Sequence, residues 1–403
     1  MRYVDVAVIG GGPSGLSAAW SAASHGLDVA VFEEHEEVGR PRHCAGLVSG
    51  EGLKLIGMPC KNEYVENKVD KAIIAIDNFC FEVRKVGEPI YVLNREVFDK
   101  AMADRATDRG AKILLGSQVK KVEIKDEGYI VKTRQSSYLC KIVIDGEGAV
   151  SRLASAMGLR GPMLKMPALQ VEYKVKAPLE NEVFVILGDE WAPGFFSWAI
   201  PTGDHGLRIG LAAVSGNCSA LLKRITKRHP LMSKILRDGI VSRIYGGTIV
   251  IGPPERTHIG NFMVVGDAAG QTKPLTGGGV VYGALCGSLA GIIASKVIDG
   301  KADATLYERI WRRILGLEEK LGLLLRKTLI NNDFGKLLRL VSRTSILSHV
   351  ERNFHYEYHV SSIVKRPGIL ILSSLLLALL SPGKAFKYFL QVTLPKRRRS
   401  KIV

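Results

Sequence analysis

The sequence predicts an α/β fold, α+β overall: a Rossmann-like dinucleotide-binding domain, an antiparallel-sheet domain inserted into it, and a C-terminal helical region. Three observations carry this reading. Residues 4–34 run strand, glycine turn, small-residue helix, strand and acid, the order of a nucleotide-binding βαβ unit. Between residues 169 and 251 the apolar positions recur with period two, as in half-buried strands. From 262 to 300 the chain returns to strand, glycine-rich turn and small-residue helix, so the first domain is discontinuous. The expected boundaries are 1–160 with 252–300 for the dinucleotide domain, 161–251 for the sheet domain and 301–403 for the helical region.

The first unit has a physical task at each position. An apolar run, Val4 to Ile9, leads into Gly10-x-Gly12-x-x-Gly15. Gly10 allows a tight turn, Gly12 lets a pyrophosphate approach the backbone, and Gly15 lets the helix sit close on the strand. Free N–H groups at the helix start, those of Ser14 and Gly15 among them, would face the phosphates. Glu33, 18 residues past Gly15, is placed to accept from ribose hydroxyls. Further along, Asn94 is a plausible cap for a helix whose stripe is Val97, Phe98, Ala101, Met102 and Ala106. An apolar strand then ends in Asp145-Gly146. In the sheet domain Leu169, Val171, Tyr173 and Val175 alternate with polar residues, and short strands recur at 182–187, 207–213 and 243–251. The stretch before residue 90 is poorly patterned.

The second glycine-rich element is Gly266-Asp267-Ala268-Ala269-Gly270, followed by Pro274 and Gly277-Gly278-Gly279. Asp267, after an apolar strand, can accept from a ribityl chain. The helix start at Gly279 and Val280 would present N–H groups and positive potential to a polar ring edge, stabilising an anionic reduced flavin.

Composition bounds the rest. With 46% hydrophobic residues in 403, the chain can bury a large core. Six cysteines, at 44, 60, 80, 140, 218 and 286, show no CxxC and no Cys/His cluster, so no metal is expected; a Cys60–Cys80 bridge stays open. No signal peptide precedes the first strand, so a cytoplasmic protein is expected. The net charge is +17, and residues 301–403 contribute +13 of it with 20 Lys+Arg against 7 Asp+Glu. Within this region lies Gly368–Leu380, GILILSSLLLALL, followed by Phe386, Tyr388, Phe389 and Leu390 and the ending PKRRRSKIV. This largely apolar stretch of thirteen residues is too short to span a bilayer. Flanked by cations, it fits peripheral anchoring on an anionic membrane surface, here the inner face of the cell membrane. The alternative is a buried C-terminal helix with a solvated basic tail. No nucleic-acid module is present, and no nucleic-acid partner is expected. Beyond 301, Leu306, Ile310, Ile314, Leu317, Leu321 and Leu324 mark one face of an amphipathic helix.

These motifs resemble the geranylgeranyl reductase family of FAD-dependent enzymes, within the larger group similar to para-hydroxybenzoate hydroxylase. The fingerprint, the Asp145-Gly146 strand end and the Gly266-Asp267 segment match the larger group, and these specify FAD. Arg42-His43-Cys44-Ala45-Gly46-Leu47 resembles the Cys-Gly segment that these reductases place beside the flavin. Residues 193–201, PGFFSWAIP, resemble their PxxYxWxFP substrate motif, with Phe196 in place of Tyr and Ile200 in place of Phe; in the Cys-Gly segment Ala45 stands in place of the usual Gly.

The resemblance implies that Glu33 holds the adenosine ribose, that Arg95 meets the pyrophosphate or ribityl region, and that Val119 meets adenine through its backbone. It implies that Cys44, Ala45 and Gly46 line the flavin opposite Asp267, Gly279 and Val280, and that Phe196 and Trp198 contact substrate. It further implies saturation of isolated C=C bonds in geranylgeranyl chains of archaeal membrane lipids, with hydride from the reduced flavin N5 and a proton added at the other carbon. Cys44 is a candidate by position, as proton donor or as organiser of a water, with its neighbour His43 a second candidate. The electron donor, ferredoxin or NAD(P)H, is left open. The rivals are an aromatic monooxygenase, an isoprenoid cyclase without net redox chemistry, and a membrane-bound electron relay.

Overall fold

An eight-stranded sheet forms one side of the protein, and its first strand is Arg2–Ile9, whose Val4, Val6, Ala7, Val8 and Ile9 are buried. The computed structural model describes residues 1–76, 79–84, 87–126, 128–176, 179, 181–329 and 355–360. Arg2–Ile9 is paired in parallel with Val29–Phe32 on one side and Ser137–Asp145 on the other. Lys112–Leu114 extends the sheet beyond Val29–Phe32, and Phe262–Val264 pairs in parallel with the end of Ser137–Asp145. The glycine turn therefore opens at the carboxyl end of the central strands, where such sheets bind ligands. Residue 262 onward joins the same sheet as residue 2, although more than a hundred residues lie between their neighbouring strands.

Two helices cross on this sheet. Pro13–Ser24 buries Leu16 and a run of alanines and serines. Val280–Ile298 lies against it, and a Cβ on Gly287 would meet the Ser14 carbonyl oxygen at 2.0 Å. That second helix is long and apolar enough to cross a membrane by length and composition alone. Its apolarity is accounted for by burial: Tyr282, Cys286, Ala290, Ile293 and Ala294 share a core with Val6, Val8 and Ala18.

The second sheet has seven strands, in the order Ile240–Ile251, Leu164–Lys174, Gly206–Ala212, Phe196–Thr202, Glu182–Leu187, Lys71–Ile76 and Phe79–Arg84. It is antiparallel except where Glu182–Leu187 runs parallel to Lys71–Ile76. The last two strands come from the poorly patterned stretch before residue 90, well outside 161–251. Their alternation is interrupted by Lys71, Glu82 and Arg84, and Lys71 pairs instead with Glu182 at 2.7 Å. A small third sheet has the order Leu47–Ser49, Ile90–Leu93, Val65–Val69.

The helix beyond 301 runs from Thr305 to Leu329, and its buried face differs from the expected one. Ile314 and Leu317 are exposed, while Tyr307, Trp311, Leu315, Glu318, Glu319 and Arg326 are buried. The helical period was read correctly and the face was not, because three of the buried side chains are charged. The apolar segment 368–380 and the basic ending lie outside the described residues.

Candidate functional site

At the glycine turn, Gly10 has φ +90°, and a Cβ there would meet the Gly146 carbonyl oxygen at 2.4 Å. Gly15 sits so close that a Cβ would lie 2.0 Å from the Gly10 carbonyl oxygen. Gly12 differs from both. Its backbone is extended (φ −83°, ψ 177°), and a Cβ would meet no protein atom within 4 Å. Gly12 is also the N-cap of the helix, without a side-chain cap, and the first turn holds no acid. The orphan N–H groups there face open space with the positive end of the helix dipole behind them, which fits a pyrophosphate. The Ser14 hydroxyl is buried against Gly266 and Gly146, so this residue packs the helix while its backbone belongs to the turn.

Glu33 is buried at the end of the second strand. Its Oε2 accepts from Gly11 N–H at 2.6 Å, and its Oε1 accepts from His35 N–H at 2.9 Å and faces His35 Nδ1 at 2.6 Å. The carboxylate is thus fixed beside the glycine turn, with lone-pair capacity left for a ribose hydroxyl. Val119 is buried, and its carbonyl accepts from Arg152 Nη2 at 2.7 Å, so only its N–H is left to meet a base edge.

The other end of the site is built by the Cys44–Gly46 loop. Gly46 has φ +86°, its carbonyl accepts from Leu93 N–H at 2.8 Å, and a Cβ there would strike Leu93 O at 2.5 Å. The Ala45 carbonyl accepts from Arg208 Nη1 at 3.0 Å. Arg208 is fully buried on strand Gly206–Ala212; its Nε donates to Glu172 at 2.6 Å and its Nη2 pairs with Glu66. Arg42 bridges the same two carboxylates at 2.8 and 3.1 Å, and the Tyr245 hydroxyl donates to Glu172 at 2.6 Å. Burial works against ionisation of Glu172, but the Tyr245 hydroxyl and the two guanidinium groups hold it below the ordinary glutamate range. This network did not show in the sequence, because Glu172 occupies one of the polar alternating positions that read as solvent-facing.

Arg95 opens the helix Arg95–Thr107 behind the Asn94 cap, whose side chain accepts from Glu96 and Val97 N–H. It is no surface cation. It forms a two-pronged pair with Asp99, both contacts 2.7 Å, and Cys44 lies near enough to favour its charge. Burial opposes its charge, and Asp99 and Cys44 more than offset that, raising its pKa. Asp267 lies in the turn Gly266–Ala269; burial pushes its carboxyl up, while His43 and Arg95 pull the other way. A Cβ on Gly279 would come within 2.7 Å of Asp267 Oδ1, so glycine there lets the acid into the site. Val280 begins the second core helix, again without a side-chain cap at Gly279. Cys44, Arg95, His43 and Asp267 are therefore brought together, as the sequence motifs suggested for three of them.

Residues 355–360 enter this wall from a part of the chain that read as tail. Lys273 is buried, 2.9 Å from Glu357 Oε2, and donates to the Tyr356 carbonyl at 3.1 Å. Glu357 is buried too and accepts from the Ser49 hydroxyl at 2.6 Å. Burial lowers the Lys273 pKa against the pull of Glu357. No motif flagged either residue; a buried Lys–Glu pair across 84 positions leaves no local pattern.

On the second sheet, Phe195 and Phe196 stack at 4.3 Å and Trp198 meets Phe196 edge-on at 5.9 Å. Trp198 Nε1 donates to Gln170 at 2.7 Å, and its indole lies over Gly210, where a Cβ would come within 2.6 Å. Phe196 is partly exposed, and the three rings belong to the apolar cluster that also takes in Ala45 and Leu47. All six cysteines are free thiols, Cys60 and Cys80 both exposed.

Comparison with known proteins agrees with this geometry. The family model for FAD dependent oxidoreductases matches residues 5–159. Digeranylgeranylglycerophospholipid reductase 2 of Methanopyrus kandleri is 31% identical over 389 residues, covering 91% of this chain and 97% of the relative. The digeranylgeranylglycerophospholipid reductase of Methanosarcina mazei is 30% identical, covering 81% of this chain and 85% of its own. A crystal structure of a geranylgeranyl bacteriochlorophyll reductase-like protein from Thermoplasma acidophilum superimposes with a TM-score of 0.79 at 23% identity, over 91% of this chain and 97% of that one, and shares the fold. An open glycine turn with Glu33 fixed beside it, a Cys44–Gly46 loop tied to the second sheet and these relatives converge: the chain belongs to the digeranylgeranylglycerophospholipid reductase family of FAD-dependent oxidoreductases.

Proposed function

We propose that this enzyme saturates isolated C=C bonds of geranylgeranyl chains on an isoprenoid lipid. The observation that carries the reading is the continuity of one apolar cluster from Phe195, Phe196 and Trp198 to Ala45 and Leu47 on the Cys44 loop. A long hydrocarbon chain in that cluster would gain about 0.8 kcal/mol per buried methylene. FAD, when bound and reduced, supplies a hydride. The chain supplies the rest. Gly12 and the helix behind it receive the pyrophosphate, Glu33 the ribose, and Asp267 with Gly279 the flavin end. Arg208 and Gly46 hold the Cys44 loop in place, and the Asp99-bound guanidinium of Arg95 orients the Cys44 sulfur, where the proton for the second alkene carbon is held. The apolar walls exclude water from the reacting carbons.

The enzyme works at the cytoplasmic face of the membrane in this proposal. The helix Thr305–Leu329 supports it: exposed Ile314 and Leu317 share a surface with exposed Arg309, Arg313 and Lys320. Apolar side chains among cations suit an anionic interface. The test of the whole reading is anaerobic incubation of the dithionite-reduced protein with geranylgeranyl lipids, read by mass. Products heavier in two-dalton steps support it; turnover that requires oxygen and adds an oxygen atom would replace it with a monooxygenase.

A further inference from the structure

Arg326 is the odd cation in this protein. Arg42 and Arg208, also buried, and the largely covered Arg95 each face a carboxylate. Arg326 is 5% exposed, near the end of helix Thr305–Leu329, and has no carboxylate partner among the described residues. Its Nη2 donates to the Gly194 carbonyl at 3.0 Å and lies 3.2 Å from Met166 Sδ. Its guanidinium carbon is 5.0 Å from the centre of the Phe195 ring, and its Nε has no partner among the described residues. Burying an uncompensated charge is costly. Burial draws the Arg326 pKa down to about 10, which leaves the group charged at neutral pH.

The neighbours of Arg326 say what it faces. Gly194 and Phe195 belong to the aromatic segment, and Met166 and Phe195 to the cluster that reaches Ala45 and Leu47. A guanidinium presents a planar fork of donors suited to two phosphate oxygens. We propose that Arg326 binds the phosphate of the substrate head group, so that a phosphorylated prenyl lipid is held by its polar end while its chain occupies the apolar cluster. The proposal rests on the prenyl-lipid reading above and adds the residue that holds the head-group phosphate.

The test compares geranylgeranyl monophosphate with geranylgeraniol in anaerobic turnover, using the full-length FAD-loaded protein, Arg326→Met and Arg326→Lys. Wild type should favour the phosphate in KM, and Arg326→Met should reduce that preference about tenfold to a hundredfold, the worth of a hydrogen bond to a charged group. Arg326→Lys, which restores charge without the fork, should recover part of it and guards against misfolding of the methionine variant. Flavin content reports the fold of each. An unchanged preference in flavin-loaded variants, or a wild type indifferent to the phosphate, overturns the assignment while leaving chain reduction standing. Reduction of neither compound by wild type would instead sink the prenyl-lipid reading and this assignment with it. Tight binding of inorganic phosphate that the lipid does not displace would make Arg326 a free-anion site and overturn the head-group role.

Discussion

Arg208 donates to the Ala45 carbonyl across 3.0 Å, and this contact ties the Cys44–Gly46 loop to the seven-stranded sheet. The same guanidinium spans Glu66 and Glu172, so loop and sheet share one buried charge network. Arg208→Met should destabilise the protein by about 2 kcal/mol, below the usual loss for a buried pair because Arg42 still compensates both acids. The flavin should be held less rigidly, with raised fluorescence. A urea midpoint equal to wild type would show that the network contributes no stability.

Gly12→Val separates cofactor binding from folding. The backbone at Gly12 is extended and its Cβ direction is empty of protein, so valine strains nothing in the fold. The purified variant should be folded by circular dichroism and colourless. A yellow Gly12→Val protein with full FAD would place the pyrophosphate elsewhere. Gly15→Val is the contrasting case, since a Cβ there meets backbone at 2.0 Å and should cost the fold itself.

This contrast also shows what was legible in the sequence. The glycine turn and the Asn94 cap were, because each geometry tolerates few residue types. The face of helix Thr305–Leu329 was not: Glu318, Glu319 and Arg326 look like surface residues and are buried, while Ile314 and Leu317 look like core and are exposed. The Arg42–Glu66–Glu172–Arg208 network and the Lys273–Glu357 pair join residues far apart in the chain, and nothing in their local pattern marks them. Strands Lys71–Ile76 and Phe79–Arg84 were hidden for a related reason, since the first takes its place by pairing with Glu182–Leu187 and the second by pairing with the first.

Glu319 makes a pH prediction. Burial raises its pKa to about 7, and its Oε1 has no partner among the described residues. The folded state therefore keeps a proton that the unfolded state has lost above its ordinary value near 4.3. The sign follows: stability is full below that value and falls as pH rises toward 7. At pH 8 the buried carboxylate costs about 3–4 kcal/mol on this shift. Glu319→Gln should raise the urea midpoint at pH 8 and flatten its decline between pH 5 and 8. A variant with the wild-type pH slope would remove Glu319 as its source.

Deleting residues 367–403 should leave FAD bound, because every residue assigned to the cofactor lies before residue 300. It should weaken sedimentation with anionic liposomes, and salt should weaken binding of the intact protein as screening removes its Coulomb part. Unchanged liposome binding would refute the anchor, and a truncated protein that aggregates without flavin would show that the segment belongs to the core.

Cys44 carries the proton in this account, and an acid in that role contributes about 10²–10⁴-fold. Cys44→Ser should retain FAD and lose alkene reduction by that order in anaerobic assays; wild-type turnover would assign the proton to water or another group.

The central claim is that electrons held by this protein's flavin pass to a prenyl double bond without oxygen. It is tested most directly by mixing the reduced protein anaerobically with geranylgeranyl phospholipid and following the flavin's visible band. The account predicts return of the oxidised band in step with a lipid product heavier by two daltons for each flavin reoxidised. A flavin that stays reduced until oxygen or a protein acceptor is admitted, with the lipid unchanged, would contradict it.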